Sequence, residues 1–155
     1  MSVSVALVDG PIDPSRELAR FGAAPEEGAV ASLTGHVRAR DADGAELSAL
    51  VLETYRGVTL TSMEAIAAAA MDRFAVRRCR VVHRAGRIAP GDAIVFVATA
   101  AVHRRAAFDA ADYLMDRLKN EAVFWKREES ASGTRWIEPR AQDLADLARW
   151  TGSAR

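Results

Sequence analysis

Pro90-Gly-Asp-Ala-Ile-Val-Phe-Val-Ala-Thr-Ala-Ala101 runs straight into Val102-His-Arg-Arg-Ala-Ala-Phe-Asp-Ala-Ala-Asp-Tyr-Leu-Met-Asp-Arg-Leu-Lys-Asn120. Pro90, Gly91 and Asp92 read as a turn, and residues 93–101 as a strongly apolar strand. Residues 104–120 read as a helix, because Ala107, Phe108, Ala111, Leu114, Met115 and Leu118 fall on one face. Working outward, 76–85 is a strand, preceded by a helix with a stripe of Met63, Ile66, Ala67, Ala70 and Phe74. Thr61-Ser-Met-Glu64 is expected to open that helix as a capping box. Strands are expected at 2–8, 29–37 and 47–55, the last two joined by a polar stretch around Asp43-Gly44. Along 47–55 both faces are partly apolar and therefore expected to be covered. Asp13 before Pro14 signals a short helix through Phe21. Short strands are expected at 124–127 and 134–138 around Ser132-Gly133, with a terminal amphipathic helix at 142–150. Helices and strands are intermixed, with too few βαβ units for a doubly wound sheet, so the fold class is α+β with mixed or antiparallel sheets and packed helices.

The chain of 155 residues fits one domain, 1–155, with no repeat or linker to divide it. A formal net charge of zero argues against a general binder of nucleic acid or membrane surfaces, so any cationic site must be local. Its apolar runs are too short to span a bilayer. The first residues lack the basic start and long apolar centre of a signal peptide, and a single cysteine, Cys79, fits a reducing cytoplasm.

Nineteen of the basic residues are arginines, and the two lysines, Lys119 and Lys126, share one segment with Phe124 and Trp125. A surface-charge reading is open for any lysine, yet an amine does what guanidinium cannot: it loses its proton in a desolvated site and acts as acid, base or nucleophile. A second candidate is Val102-His103-Arg104-Arg105. Three cations at a helix start oppose the macrodipole, and a bound anion would resolve the conflict; the alternative is that the arginines extend into solvent. His103 and Lys119 bracket one helix, about 25 Å apart by helical rise. A pocket using both needs the chain to fold back or a second copy to contribute, and the dimer is the simpler arrangement.

His83 is expected to be a hydrogen-bonded core histidine and Cys79 an inert buried thiol. His36, His83 and His103 are too scattered for zinc, and no phosphate-binding P-loop, GxGxxG or GxSxG pattern is present. The tryptophan and arginine clusters make only a weak case for single-stranded nucleic acid.

Several runs together resemble the large, catalytic subunit of molybdopterin synthase. They are Gly28-Ala-Val with Thr34-Gly-His-Val-Arg38, Leu52-Glu-Thr-Tyr55, Val82-His-Arg-Ala-Gly86, Pro90-Gly-Asp-Ala-Ile-Val-Phe-Val97 and His103-Arg104 with Ala107-Phe108. The most specific is Asp116-Arg-Leu-Lys119 with Phe124-Trp-Lys-Arg-Glu128, followed by Gly133 and Trp136. The likeness spans about 28–140, and it is the order and spacing of the motifs that make it specific.

The resemblance implies an α/β-hammerhead-like fold and a homodimer at the centre of a heterotetramer. It implies that cyclic pyranopterin monophosphate is converted to molybdopterin. The sulfur comes from the C-terminal Gly-Gly thiocarboxylate of a small ubiquitin-like sulfur-carrier subunit, and no cofactor or metal is needed. Carried over by motif, the substrate-binding positions are His36, Val37, Arg38, His103, Arg104, Lys119, Lys126, Arg127 and Glu128, with Lys119 and Lys126 catalytic. His36 stands where the family often has lysine, making its charge pH-dependent. Val123 replaces a common proline, loosening that loop.

On this reading Arg38, His103 and Arg104 bind phosphate and stabilise charge as the cyclic ester opens. Lys119, an amine whose proton is loosened by nearby cations and partial burial, assists sulfur attack and proton transfer. Lys126 holds the tail carboxylate or the pterin phosphate. The alternative is a non-catalytic anion- or Gly-Gly-tail-binding adaptor of the same fold, which could exchange both lysines for arginine without loss.

Overall fold

The apolar run at 93–101 becomes the innermost strand, with every residue buried except the half-buried Ile94. The computed structural model describes residues 1–55 and 57–151. In chain order the elements are β1 (Ser2–Val8), α1 (Pro14–Phe21), β2 (Ala29–His36), β3 (Leu47–Thr54), α2 (Val58–Arg73) and β4 (Val76–Arg84). There follow β5 (Gly86–Ile88), β6 (Ala93–Ala101), α3 (Arg104–Glu121), β7 (Phe124–Ser130), β8 (Gly133–Ile137) and α4 (Ala141–Ala148). One sheet has the order β1-β4-β6-β2 and the other β5-β3-β7-β8. β1 runs parallel to β4, and all other pairings are antiparallel. The expected α+β class is what forms. No helix among the described residues is long and apolar enough to cross a membrane.

The stripes read from sequence bury as expected except at Phe108, which is 58 % exposed because it turns off the buried face of the helix. Met63, Ile66, Ala67 and Ala70 of α2 meet Ala107, Ala111, Leu114 and Leu118 of α3 over Cys79, Val81, Val95 and Val97 of the first sheet. Each large side chain buried there contributes about 1.5–3 kcal/mol. Val82, Phe96 and Ala98 face the other way, with Ile12 and Phe21 packed on them. A third cluster of Val37, Leu52 and Ile88, with Phe124 against it, ties the two sheets together. Both faces of β3 are covered, since Ala49 and Val51 are buried as well as Leu52.

Three details differ from the sequence reading. α2 starts at Val58 rather than at Thr61, because Gly57 at φ 80° turns the chain into the helix one turn earlier. Thr61 does not cap; its hydroxyl donates back to the Gly57 carbonyl at 2.6 Å. β5 was not foreseen, and the strands at 29–36 and 47–54 are not a hairpin: they belong to different sheets. The Asp13 cap does form, its carboxylate accepting from the Arg16 N–H at 3.1 Å.

Candidate functional site

Two cationic centres lie at opposite ends of α3. At its start, His103 occupies the N-cap position without a side-chain capping bond, and the first turn holds Arg104 and Arg105 but no acid. The four residues from Val102 to Arg105 are exposed and, with Gly28, line a cleft of about 430 Å³. Gly28 is there because nothing larger fits: a Cβ would collide with the Val102 carbonyl oxygen. The loop that brings it is clamped by Glu27, whose side chain is 2 % exposed and takes both Nε and Nη2 of Arg78 at 2.6 Å. The Arg78 guanidinium also donates to the Phe21 and Gly22 carbonyls. Its hydrogen bonds hold the Glu27 carboxyl down at about 2, against the opposing pull of burial.

At the far end of α3 Lys119 meets an acid that the sequence reading did not single out, and the charges of both act on Lys126. Lys119 Nζ lies 3.1 Å from Asp143 Oδ1. The Asp143 side chain is 5 % exposed, and its Oδ2 accepts the Arg140 N–H at 3.0 Å. Burial pushes this carboxyl up, but the Arg140 and Lys119 bonds outweigh it and leave it below the usual carboxylate range. Burial pushes the Lys126 amine down, and the Lys119 charge adds to the fall while Asp143 opposes it. Lys126 is therefore the amine whose surroundings favour releasing a proton, the quality expected of Lys119. Behind it, buried His83 stacks on Phe124 with centroids 4.3 Å apart and donates from Nδ1 to the Arg84 carbonyl at 2.9 Å. Burial first, and the Lys126 charge in addition, lower His83 to about 4, so it is the neutral core histidine expected. Cys79 is buried and pushed up to about 12 by desolvation, an inert thiol.

The remaining sequence candidates divide. Val37 is buried against Leu52 and Phe124, and its N–H and C=O are both engaged by the 91–92 turn, so it positions exposed His36 and Arg38. Because His36 pairs near Ala93 while Ala29 pairs with Ala101, this end of β2 lies about 23 Å from His103 by strand rise. Along β7, Glu128 shares a face with Lys126, whereas Arg127 points through the opposite face. There it meets Glu53 and Glu129 and lies 5.7 Å from the centroid of Trp136. Beside the lysine-bearing strand an apolar cleft is lined by Tyr55, Val58, Val123, Phe124 and Trp125. Among the described residues no three His, Cys, Asp or Glu side chains gather as a metal site requires.

Residues 7–121 match the family model described as MoaE protein. The chain belongs to the MoaE family. A protein of Caulobacter vibrioides named molybdopterin synthase catalytic subunit is 52 % identical over 151 residues, covering 97 % of this chain and 99 % of that one. The solved MoaE protein from Burkholderia ambifaria superposes with a TM-score of 0.80 at 40 % identity, covering 98 % and 100 % of the two chains. Molybdopterin synthase from Staphylococcus aureus superposes at 0.77 with 27 % identity, covering 86 % of this chain and 96 % of that one. The MoaE match thus ends at the last residue of α3, and Asp143 lies beyond it. One sequence signal could have revealed this residue: Asp143, Leu147 and Trp150 fall at i, i+4 and i+7, which puts an acid on the inward stripe of α4.

Proposed function

We propose that this chain transfers sulfur to cyclic pyranopterin monophosphate, making the dithiolene of molybdopterin with the thiocarboxylate of a small sulfur-carrier subunit as donor. One observation carries the reading: the two lysines of a chain whose other cationic side chains are arginine and histidine influence each other's charge at one end of α3, with Lys119 on a buried carboxylate. Lys126, its basicity lowered by burial, moves protons as sulfur adds to the substrate side chain; Lys119 holds and orients the reacting groups. Two sulfurs are required, so two charged carrier subunits visit in turn. The basic head of α3 in one copy, with Arg38 of a second copy, binds the phosphate.

Lys119 and the His103–Arg105 cleft stand at opposite ends of the 18-residue α3, about 25 Å apart. A single chain therefore does not close one pocket around a small pterin phosphate, and a homodimer in which each copy lends one end supplies it. Trp125 and Trp136, each over half exposed and 5.9 Å apart, and Tyr55 beside Trp125 give β3, β7 and β8 an aromatic face suited to a protein partner. The apolar cleft next to Phe124 suits a narrow diglycine tail. The buried, unpaired Cys79 fits a reducing cytoplasm as the place of action.

The test is a reconstituted reaction with thiocarboxylated carrier and cyclic pyranopterin monophosphate, reading molybdopterin. Lys119→Arg keeps the charge but removes the amine, and most sulfur transfer should be lost. Activity within about threefold of the parent means a barrier change below about 1 kcal/mol and removes Lys119 from the chemistry. A parent chain that makes no molybdopterin in this reaction, yet binds the carrier, would favour the adaptor.

A further inference from the structure

We propose that Asp143 is a positioning residue for the lysine pair: carried in by α4, its buried carboxylate holds the Lys119 ammonium in place and restrains the release of a proton from Lys126. This rests on the sulfur-transfer reading above. An aspartate 5 % exposed is costly unless its oxygens are used. Here both oxygens are used. Oδ2 accepts the Arg140 N–H at 3.0 Å, and Oδ1 lies 3.1 Å from Lys119 Nζ and 3.4 Å from Arg140 Nη2.

The helix that delivers it is tied down at both ends. Asn120 Nδ2 donates to the Asp143 carbonyl at 3.1 Å. At the other end Trp150 packs edge-on against Phe74 and Tyr113, and its Nε1 donates to Asp116 at 2.6 Å. Arg73 lies over these three rings and donates to the Trp150 carbonyl, while Arg149 bonds Asp112 and Asp116. Such anchoring exceeds what an eight-residue surface helix needs to shield a core edge. Its consequence is a buried carboxylate held 3.1 Å from Lys119 Nζ.

The charged and titratable groups that the structure brings to this carboxylate are Lys119 from α3, Lys126 from β7 and Arg140 at the start of α4. His83 of β4 faces Lys126 from behind. Asp143 opposes the loss of the Lys126 proton, so the carboxylate sets how readily that amine deprotonates as well as where Lys119 sits.

The two-lysine composition makes the test direct, because lysine-selective 13C and 15N labelling of the intact protein gives one side-chain signal for each. Lys119→Arg and Lys126→Arg assign them. In Asp143→Asn, whose amide oxygen can still accept the Arg140 N–H, the Lys126 titration should move to lower pH and the Lys119 signal should narrow to that of a mobile surface lysine. Asp143→Glu should restore the Lys126 titration, because it keeps the charge. In the reconstituted reaction the rising limb of kcat against pH should shift down with Lys126, and KM should rise as Lys119 loosens. If both lysine signals are unchanged while Asp143→Asn lowers thermal stability, Asp143 only caps α4 and the proposal fails. If the signals move but the kcat profile does not, the proposal fails as well. The labelling experiment needs neither substrate nor carrier, so its outcome stands apart from that of the sulfur-transfer assay. Should Asp143→Asn not fold, Asp143→Ser, whose hydroxyl can still accept the Arg140 N–H, takes its place with the same expected and overturning results.

Discussion

Replacing Glu27 with glutamine should destabilise the protein in a way that depends on pH, and the structure sets both size and sign. Glu27 is 2 % exposed and takes two guanidinium nitrogens of Arg78, itself 25 % exposed. Its carboxyl falls from 4.5 to about 2 in the fold. One pH unit between folded and unfolded titrations corresponds to about 1.4 kcal/mol, which bounds the contribution near 3 kcal/mol. Solvent around the quarter-exposed guanidinium screens part of this, leaving about 2 kcal/mol. Because the folded value is the lower one, the stabilisation is complete above about pH 4.5 and is lost as pH falls toward 2.

Urea unfolding followed by tryptophan fluorescence should therefore show Glu27→Gln less stable by about 2 kcal/mol at pH 7, with the gap closing toward pH 3. His83, lowered to about 4, makes both proteins acid-sensitive, so the difference between them is the diagnostic quantity. A gap below about 0.5 kcal/mol at pH 7, or one that stays constant down to pH 3, would refute the clamp. Loosening it should also reduce phosphate affinity at the His103 cleft, since Gly28 next to Glu27 forms part of its wall.

Two further outcomes are expected. Arg104→Ala should weaken substrate binding by about 1.5–3 kcal/mol through loss of one charge-assisted bond and leave carrier binding nearly intact. Calorimetry with each ligand separately checks this, and equal losses for both would contradict the assignment. Mixing inactive His103→Ala and Lys119→Ala chains should restore part of the activity, because some mixed dimers carry one intact pocket. If mass spectrometry verifies subunit exchange and activity does not return, each pocket lies within a single chain.

Much was legible before the structure. The strand at 93–101 and the helix from Arg104 are visible because their apolar periodicities are long and unbroken. Rarity alone pointed to Lys119 and Lys126, and a macrodipole conflict pointed to His103 and Arg104. The three-residue β5 was not visible, since three residues carry no period. Nor was the early start of α2, which depends on the backbone angle at Gly57.

Sequence by itself determined the α+β class, the helix faces, the cationic segments and the family resemblance, because each rests on patterns local along the chain. Only the tertiary structure decided that β2 and β3 part into different sheets and that Arg127 meets Glu53, Glu129 and Trp136 away from Lys126. It alone placed Asp143 against Lys119, a residue 24 positions earlier in the chain. Ion pairing and desolvation act through space, and the separation along the chain does not encode them.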